Sequence, residues 1–389
     1  MYLVYQLFLQ VVILLSVLAW VIIAYKYFQV IRKTPKIVGS VETGIQPKVS
    51  IIIPARNEEK YITAAITSLS NQRYRDYEII LVDDASKDST PSIIRGLANK
   101  EPRIKVDTIT DRPEEWTGKN WACHLGFKKS VGDILLFTDA DIEISETLLR
   151  DSVAYLVANR LDALTLIPRV RTFGLLSKFV QPTLGVIMSV FFSPLAVNDP
   201  ESKLGYFWGS FFLISRRAYE IIGGHEAVKG EIVEDRALGQ RTKDANLKMR
   251  MLDGSNDFSA VWARSASSLW RNFERITYPS MRNNPLAKIT YVGGVSIILI
   301  PPFLVFLELL IQGEVSSVIN ASLSVTSIFL MVISSAYQAK HRLGLGYRFG
   351  LGVPFALTWI FSNLLVSALR RRDGKVTWKE RVYRFHSRP

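Results

Sequence analysis

Gly132-Asp133-Ile134-Leu135-Leu136-Phe137-Thr138-Asp139-Ala140-Asp141 is the stretch that decides the fold. From Asp133 to Thr138 it reads as a β-strand whose apolar run is unbroken, because a strand covered on both faces has no solvent side on which to alternate. The strand ends in two carboxylates one residue apart. Paired carboxylates at a sheet edge repel each other unless a cation neutralises them, as Mg²⁺ or Mn²⁺ shared with phosphate oxygens does. Taken alone, Asp-x-Asp also fits a solvated turn.

Upstream the same grammar repeats. Val49 to Ile53 reads as a buried strand ended by Pro54, and Glu58 to Leu69 has helical spacing. Glu78 to Val82 is a second strand that ends in Asp83-Asp84. Ser89-Thr90-Pro91 starts a helix, Ile104 to Ile109 is a third strand, and Trp121 to Ser130 is helical. Strands alternating with helices predict an α/β sheet with parallel strands. Ligands of such sheets bind beyond the carboxyl ends of the strands, where Asp83, Asp84, Asp139 and Asp141 fall. Lys119 sits at a helix start, where backbone N–H groups and an ammonium both suit phosphate.

Downstream the pattern is less regular. Phe173 to Phe192 is apolar but interrupted by Lys178, Gln181 and Pro182. That suits either a helix lying in a membrane interface or an amphipathic core helix. Leu204 to Ser215 is aromatic and strand-like, Gly223-Gly224-His225 is a turn, and Leu247 to Leu252 alternates like an edge strand. Glu234-Asp235 opens a helix that runs to Lys243; carboxylates there also serve as dipole-favoured caps.

Apolar residues also concentrate near the N-terminus and in the last quarter of the chain. Leu7 to Tyr25 carries no charge and is long enough to cross a hydrocarbon core of roughly 30 Å. No Lys or Arg precedes it and Tyr25-Lys26-Tyr27-Phe28 follows, which favours a retained anchor over a cleaved signal peptide. Ile289–Ile311, Ser317–Tyr337 and Phe349–Leu369 are further candidates. Lys26, Arg32, Lys33 and Lys36 follow the first span, so the positive-inside rule puts residues from about 30 to 288 in the cytoplasm. Four full spans would leave the basic tail (Arg370, Arg371, Arg372, Lys375, Lys379, Arg381, Arg384) outside. Either the tail breaks the rule or one segment is re-entrant, and Pro301-Pro302 direct suspicion to the segment from Ile289.

The formal charge of +13 sits largely beside these spans, where it meets anionic headgroups. With no zinc-ligand spacing and no basic-aromatic motif, nucleic acid is not an expected partner. Cys123 is the only cysteine, so an intrachain disulfide is excluded, in keeping with a reducing compartment. The expected division is 1–30 anchor, 47–285 central domain, 289–370 C-terminal transmembrane segments and 371–389 basic tail.

Taken in order, Pro54-Ala55-Arg56-Asn57-Glu58, Val82-Asp83-Asp84-Ala85-Ser86, Gly118-Lys119, Thr138-Asp139-Ala140-Asp141 and Gly223-Gly224-His225 leading to Val233-Glu234-Asp235 resemble the family 2 glycosyltransferases of GT-A type. The resemblance covers roughly Val49 to Asn272, and the flanking apolar segments are most like its lipid-directed membrane branch. That branch includes ceramide glucosyltransferases and carotenoid- or hopanoid-associated enzymes. It implies a Rossmann-like GT-A cytoplasmic domain with one N-terminal and two to three C-terminal transmembrane helices. It also implies metal-dependent, inverting transfer of a hexose from a UDP-sugar donor, UDP-glucose by preference, to the hydroxyl or carboxyl of a membrane lipid, as in glycolipid biosynthesis. In that scheme Pro54, Ala55, Arg56, Glu58 and Asp84 hold the nucleoside and Lys119 lies near the phosphates. Asp139 contacts ribose or metal, Asp141 binds Mg²⁺ or Mn²⁺, and Asp235 is the catalytic base. Glu234, Trp270 and Arg271 fall near acceptor or diphosphate. Relatives often carry Gln/Arg-x-x-Arg-Trp after the base; here Ser268-Leu269-Trp270-Arg271 reverses Trp and Arg. A processive polysaccharide synthase, a polyprenyl-phosphate glycosyltransferase and a non-catalytic nucleotide-sugar-binding scaffold are the competing readings.

Overall fold

The structure, a computed structural model, describes residues 2–37, 46–281, 284–312, 318–369, 375–378 and 381–384. The N-terminal apolar run belongs to one 32-residue helix, α1 (Tyr2–Lys33). The central domain opens with β1 (Val49–Ala55), α2 (Ile62–Ser70), β2 (Tyr77–Asp83), α3 (Thr90–Ala98), β3 (Ile104–Thr108), α4 (Gly118–Lys129) and β4 (Ile134–Thr138). β1 lies between β2 and β4 and is parallel to both, so the three carboxyl ends open onto one edge. Successive side chains alternate between two cores. Ile51, Ile53, Leu81 and Leu136 enter one, and Ile52, Ile80, Leu135 and Phe137 the other. Each fully buried side chain of this size contributes roughly 1.5–3 kcal/mol, and the polar residues buried beside them are bonded, as where Ser50 Oγ donates to Glu78 Oε1 at 2.6 Å.

The chain continues through β5 (Ile142–Ile144), α5 (Leu148–Ala158), β6 (Ala163–Ile167), β7 (Arg169–Arg171), α6 (Gly174–Phe191), α7 (Pro194–Asn198) and β8 (Phe211–Ser215). It closes with α8 (Arg216–Ile221), α9 (Glu234–Asp244), β9 (Met249–Asp253) and β10 (Phe258–Val261). The seven-stranded sheet has the order β3-β2-β1-β4-β8-β6-β9, and β9 is an edge strand as expected. The four strands expected to run parallel, β1 to β4, do so, and β8, antiparallel between β4 and β6, makes the sheet mixed. The strand expected from Leu204 is also shortened to Phe211–Ser215. The reason is a close approach of backbones. A Cβ on Gly205 would meet the Gly239 carbonyl at 2.2 Å, and one on Gly209 would meet Asp235 Oδ2 at 2.6 Å. Residues 204–209 are therefore pressed onto α9 instead of extending the sheet.

After α10 (Ala266–Met281) come α11 (Pro285–Gln312), α12 (Val318–Leu343) and α13 (Val353–Leu369), then the hairpin β11 (Lys375–Trp378) and β12 (Arg381–Arg384). Among the described residues five helical stretches are long and apolar enough to cross a membrane. Their contacts divide them into two kinds. α1, α11 and α12 share a layer far from the domain, where Ile13 and Val17 meet Val305 and Leu323. In a nearer layer Trp20, Leu299 and Met331 are joined by Val186 of α6 and by Val353 and Leu357 of α13. At the domain, Asp253 of β9 accepts α1 and α12 together: its N–H donates to Pro35 O at 2.8 Å, and its carboxylate pairs with Arg342.

α6 and α13 stay near the domain. α6 leaves β7 and returns to β8, two strands of the same domain. α13 is 17 residues long, and at each end it meets near-side groups. A Cβ on Gly350, just before it, would strike Ala336, and Lys288 Nζ, in the first turn of α11, donates to Ala368 O at 2.8 Å. α11 itself is one helix through Pro301 and Pro302. α11 and the stretch that contains α13 are both long and apolar enough to cross a membrane.

Candidate active site

The parallel strand ends build one cleft of about 270 Å³. The loop after β1 and the loop after β2 brace each other. Arg56 Nη1 donates to the carbonyls of Asp84 (2.5 Å) and Ala85 (3.0 Å), Asn57 N–H to Ser86 Oγ (3.0 Å) and Lys87 N–H to Asn57 Oδ1 (2.9 Å). Asn57 and Ala85 both take positive φ, 53° and 51°. Left-handed backbone at an alanine is costly and persists only where neighbours over-determine it.

Acidic and basic groups are threaded through each other. Lys119 Nζ lies 2.8 Å from Asp139 and 2.7 Å from Glu234. Burial disfavours its charge, yet Asp139, Glu234 and Asp235 outweigh that and hold the ammonium well above its usual pKa. Arg264 Nη2 joins Glu58 and Asp141, 2.5 Å from each, and its guanidinium lies over the Tyr61 ring. Arg271 and Arg275 also line the cleft. From the C-terminal hairpin, Arg381 Nη1 pairs with Asp84 Oδ2 at 2.5 Å, and the Tyr383 hydroxyl accepts the Gly118 N–H at 3.3 Å. Asp84 Oδ1 is buried without a hydrogen-bond partner among the described residues.

A cleft with this surplus of cations suits a diphosphate, and its sequence decides whose. A model of glycosyl transferase family 2 matches residues 50–223. The matched stretch, residues 50–223, carries a family 2 glycosyl transferase domain. The 4,4'-diaponeurosporenoate glycosyltransferase of Staphylococcus haemolyticus (strain JCSC1435) is 29% identical over 222 residues, 53% of this chain and 54% of that protein, so the chain spans about half its length. The protein of the same name in Staphylococcus aureus (strain USA300) is 22% identical over 350 residues, 86% of this chain and 88% of the relative. Among solved structures, a mannosyltransferase from Pyrobaculum calidifontis in complex with GDP-Man and Mn²⁺ superposes with a TM-score of 0.55 at 18% identity. That alignment covers 90% of this chain and 99% of that one, and it shares the GT-A fold.

Pro54, Ala55, Arg56, Glu58, Asp84, Lys119, Asp139, Asp141 and Arg271 all line the cleft. Glu234, Asp235 and Trp270 do not. Glu234 reaches the cleft through Lys119. Trp270 turns instead to Trp359 of α13, edge to face with ring centroids 5.4 Å apart. Asp235 is half-buried in the first turn of α9, where Oδ2 accepts the Gly209 N–H at 3.0 Å and Oδ1 the Arg236 N–H at 2.7 Å. Desolvation first, and the Glu234 charge second, push its carboxyl up to about 6. His225 faces the core: its ring packs on Phe137 and its Nδ1 lies 2.7 Å from the Tyr219 hydroxyl. Burial holds the imidazole well below its normal pKa, hence neutral.

Sequence reasoning missed Arg264, Trp262, Arg275 and Tyr383. Arg264 meets Glu58 and Asp141 across 206 and 123 residues, a separation that leaves no local signal. The only hint nearby is Ser265 to Ser268, whose hydroxyls start α10 directly after it.

Proposed function

We propose that this chain is an inverting, metal-dependent hexosyltransferase that moves a sugar from a nucleoside diphosphate donor, UDP-glucose by preference, to a carotenoid-type lipid acceptor. The observation that carries it is Asp235. Its carboxyl, raised to about pKa 6, feels the charges of Lys119 and Arg275 from the cleft and accepts the Gly209 N–H, next to Tyr206 and Trp208 of an aromatic, apolar wall. A general base works best when its pKa lies near the working pH.

The roles follow the contacts. Asp84, with its unpartnered Oδ1, and the braced loop at Arg56 hold the nucleoside. Arg264, Arg271 and Arg275, with Lys119 behind them, face the diphosphate. Among the described residues no group of three or more His, Cys, Asp and Glu is placed to hold a metal by itself. Asp139 and Asp141 supply two hard carboxylates on the cleft wall, which fits Mg²⁺ or Mn²⁺ once donor phosphate oxygens complete the set. When bound, such an ion stabilises the leaving diphosphate as a Lewis acid. Asp235 takes the proton from the acceptor O–H, the oxygen attacks the anomeric carbon, and the bond to the diphosphate breaks in the same displacement. A lipid carboxylic acid arriving from apolar surroundings keeps its proton, so it too needs a base.

The contacts of the apolar helices support a topology with α1, α11 and α12 spanning the bilayer and α6 and α13 lying at its surface. The domain and the tail then share one side, in agreement with the Arg381–Asp84 pair. The basic residues after α1 make that side cytoplasmic. The test is to incubate solubilised protein with a panel of nucleotide sugars and a total lipid extract. The reading requires a new glycolipid in the mass spectrum, formed only with donor present; donor hydrolysis without any glycolipid contradicts it.

A further inference from the structure

A second cavity, about 110 Å³, lies where the domain meets α1, α6 and α12. Its wall is apolar and aromatic, with Leu184, Met188, Phe192, Tyr206, Trp208 and Trp262 prominent. Trp262 lines the donor cleft as well, so one indole separates the two spaces. Residues 206–209 face it from the other side: Tyr206 and Trp208 line the cavity while the Gly209 N–H binds Asp235.

One polar side chain on this wall is out of keeping with the rest. Gln181 is 3% exposed, and neither its Nε2 nor its Oε1 has a hydrogen-bond partner among the described residues. The other amide on the wall, Gln338, has its Oε1 engaged by the Tyr27 hydroxyl at 2.9 Å. Arg342, the single charged residue lining the cavity among the described residues, is ion-paired with Asp253. Gln181 lies on the same face of α6 as Leu184 and Met188, both of which pack in the cluster containing Trp262. The orphan amide therefore shares its helix face with two residues that pack around Trp262. A buried amide without partners costs about 1–3 kcal/mol, so in the unliganded protein this residue is a liability that a leucine would remove.

We propose that this cavity binds an apolar chain ending in an un-ionised carboxyl group, and that Gln181 is its recognition residue. An amide offers a donor and an acceptor side by side. A carboxylic acid complements both at once, whereas a single hydroxyl satisfies them poorly together. No unpaired cation on the wall favours a carboxylate, so the acid enters protonated and sits across Trp262 from the sugar. This rests on the transferase reading in taking the bound acid as the acceptor; the binding site itself does not.

The test uses full-length protein in nanodiscs and a long-chain carboxylic acid carrying a diazirine. Photolabel should map to α6 and to residues 206–208, and unlabelled acid should compete at least about tenfold better than the alcohol of equal length. Gln181→Leu should weaken labelling by about ten- to a hundredfold, the equivalent of two lost hydrogen bonds, and erase the preference for acid. Its melting temperature should be equal or higher, because no internal bond is lost. Equal competition by acid and alcohol, undiminished labelling of Gln181→Leu, or a lowered melting temperature would each overturn the proposal. Cavity labelling in a protein that glycosylates no lipid would sink the transferase reading alone. Lipid glycosylation with the label mapping elsewhere would sink only the site.

Discussion

Glu234→Gln isolates one charge in the environment of Asp235. Its neighbour's carboxylate is the second cause, after desolvation, of a pKa raised from 3.8 to about 6, and Lys119 pulls the other way. Glutamine keeps the shape and an oxygen for Lys119, which still has Asp139 at 2.8 Å. Removing a neighbouring carboxylate from a partly desolvated site is worth on the order of one pKa unit, or about 1.4 kcal/mol. The base must be ionised to work, so turnover of the native protein should fall on the acid side of about pH 6. In Glu234→Gln that limb should move down to about pH 5. The sign extends to stability. Folded Asp235 keeps a proton that the unfolded chain releases near 3.8. Its contribution to stability is therefore fully present below that value and lost as pH rises through about 6. The assay is glycolipid formation at saturating donor across about pH 4.5 to 8 for both proteins. An acid limb that stays put or moves up would refute the electrostatic reasoning. Complete loss of turnover at every pH would give the proton transfer to Glu234.

Three other outcomes are expected. Chelation with EDTA should abolish transfer and Mg²⁺ or Mn²⁺ restore it, with Asp141→Ala losing metal-dependent donor binding; full activity in chelator would leave Asp139 and Asp141 a turn. Arg264→Ala leaves Glu58 and Asp141 without their shared cation and should weaken donor binding by at least about tenfold, a loss that Arg264→Lys does not repair because an ammonium lacks the planar fork. Unchanged donor affinity by calorimetry would reduce Arg264 to a structural tie. Cysteines introduced at Lys100 and at Ser387 should both resist an impermeant thiol reagent on intact cells and both react in inverted vesicles, whereas outside labelling at Ser387 would mean that α13 crosses the membrane.

What the sequence made legible was local. Strand runs such as Ile51 to Ile53 and Ile134 to Thr138 are buried on both faces, so hydrophobicity alone marks them, and each ends in the polar residues that line the cleft. What stayed hidden depends on contacts far apart in the chain. Nothing between Leu204 and Ser215 announces that Gly205 and Gly209 must let α9 approach, so the strand was read too long. The prolines of α11 suggested a break, but a helix packed on α1 and α12 carries them. α13 has the hydropathy of a span, and its contacts with Lys288 of α11 and Phe179 of α6 leave no mark in the local sequence. Arg381 looked like one more basic residue in a tail; it reaches Asp84 from 297 positions away.

The central claim, lipid glycosylation with Asp235 as the base, is tested most directly by Asp235→Asn. Asparagine keeps the side chain's shape and an acceptor for the Gly209 N–H, but it cannot take a proton. Glycolipid formation should fall by about 10²–10⁴-fold, the range for losing a positioned base, while donor affinity measured by calorimetry stays the same. Turnover near that of the native protein would contradict the account and leave Asp235 a helix-end residue that ties α9 to Gly209.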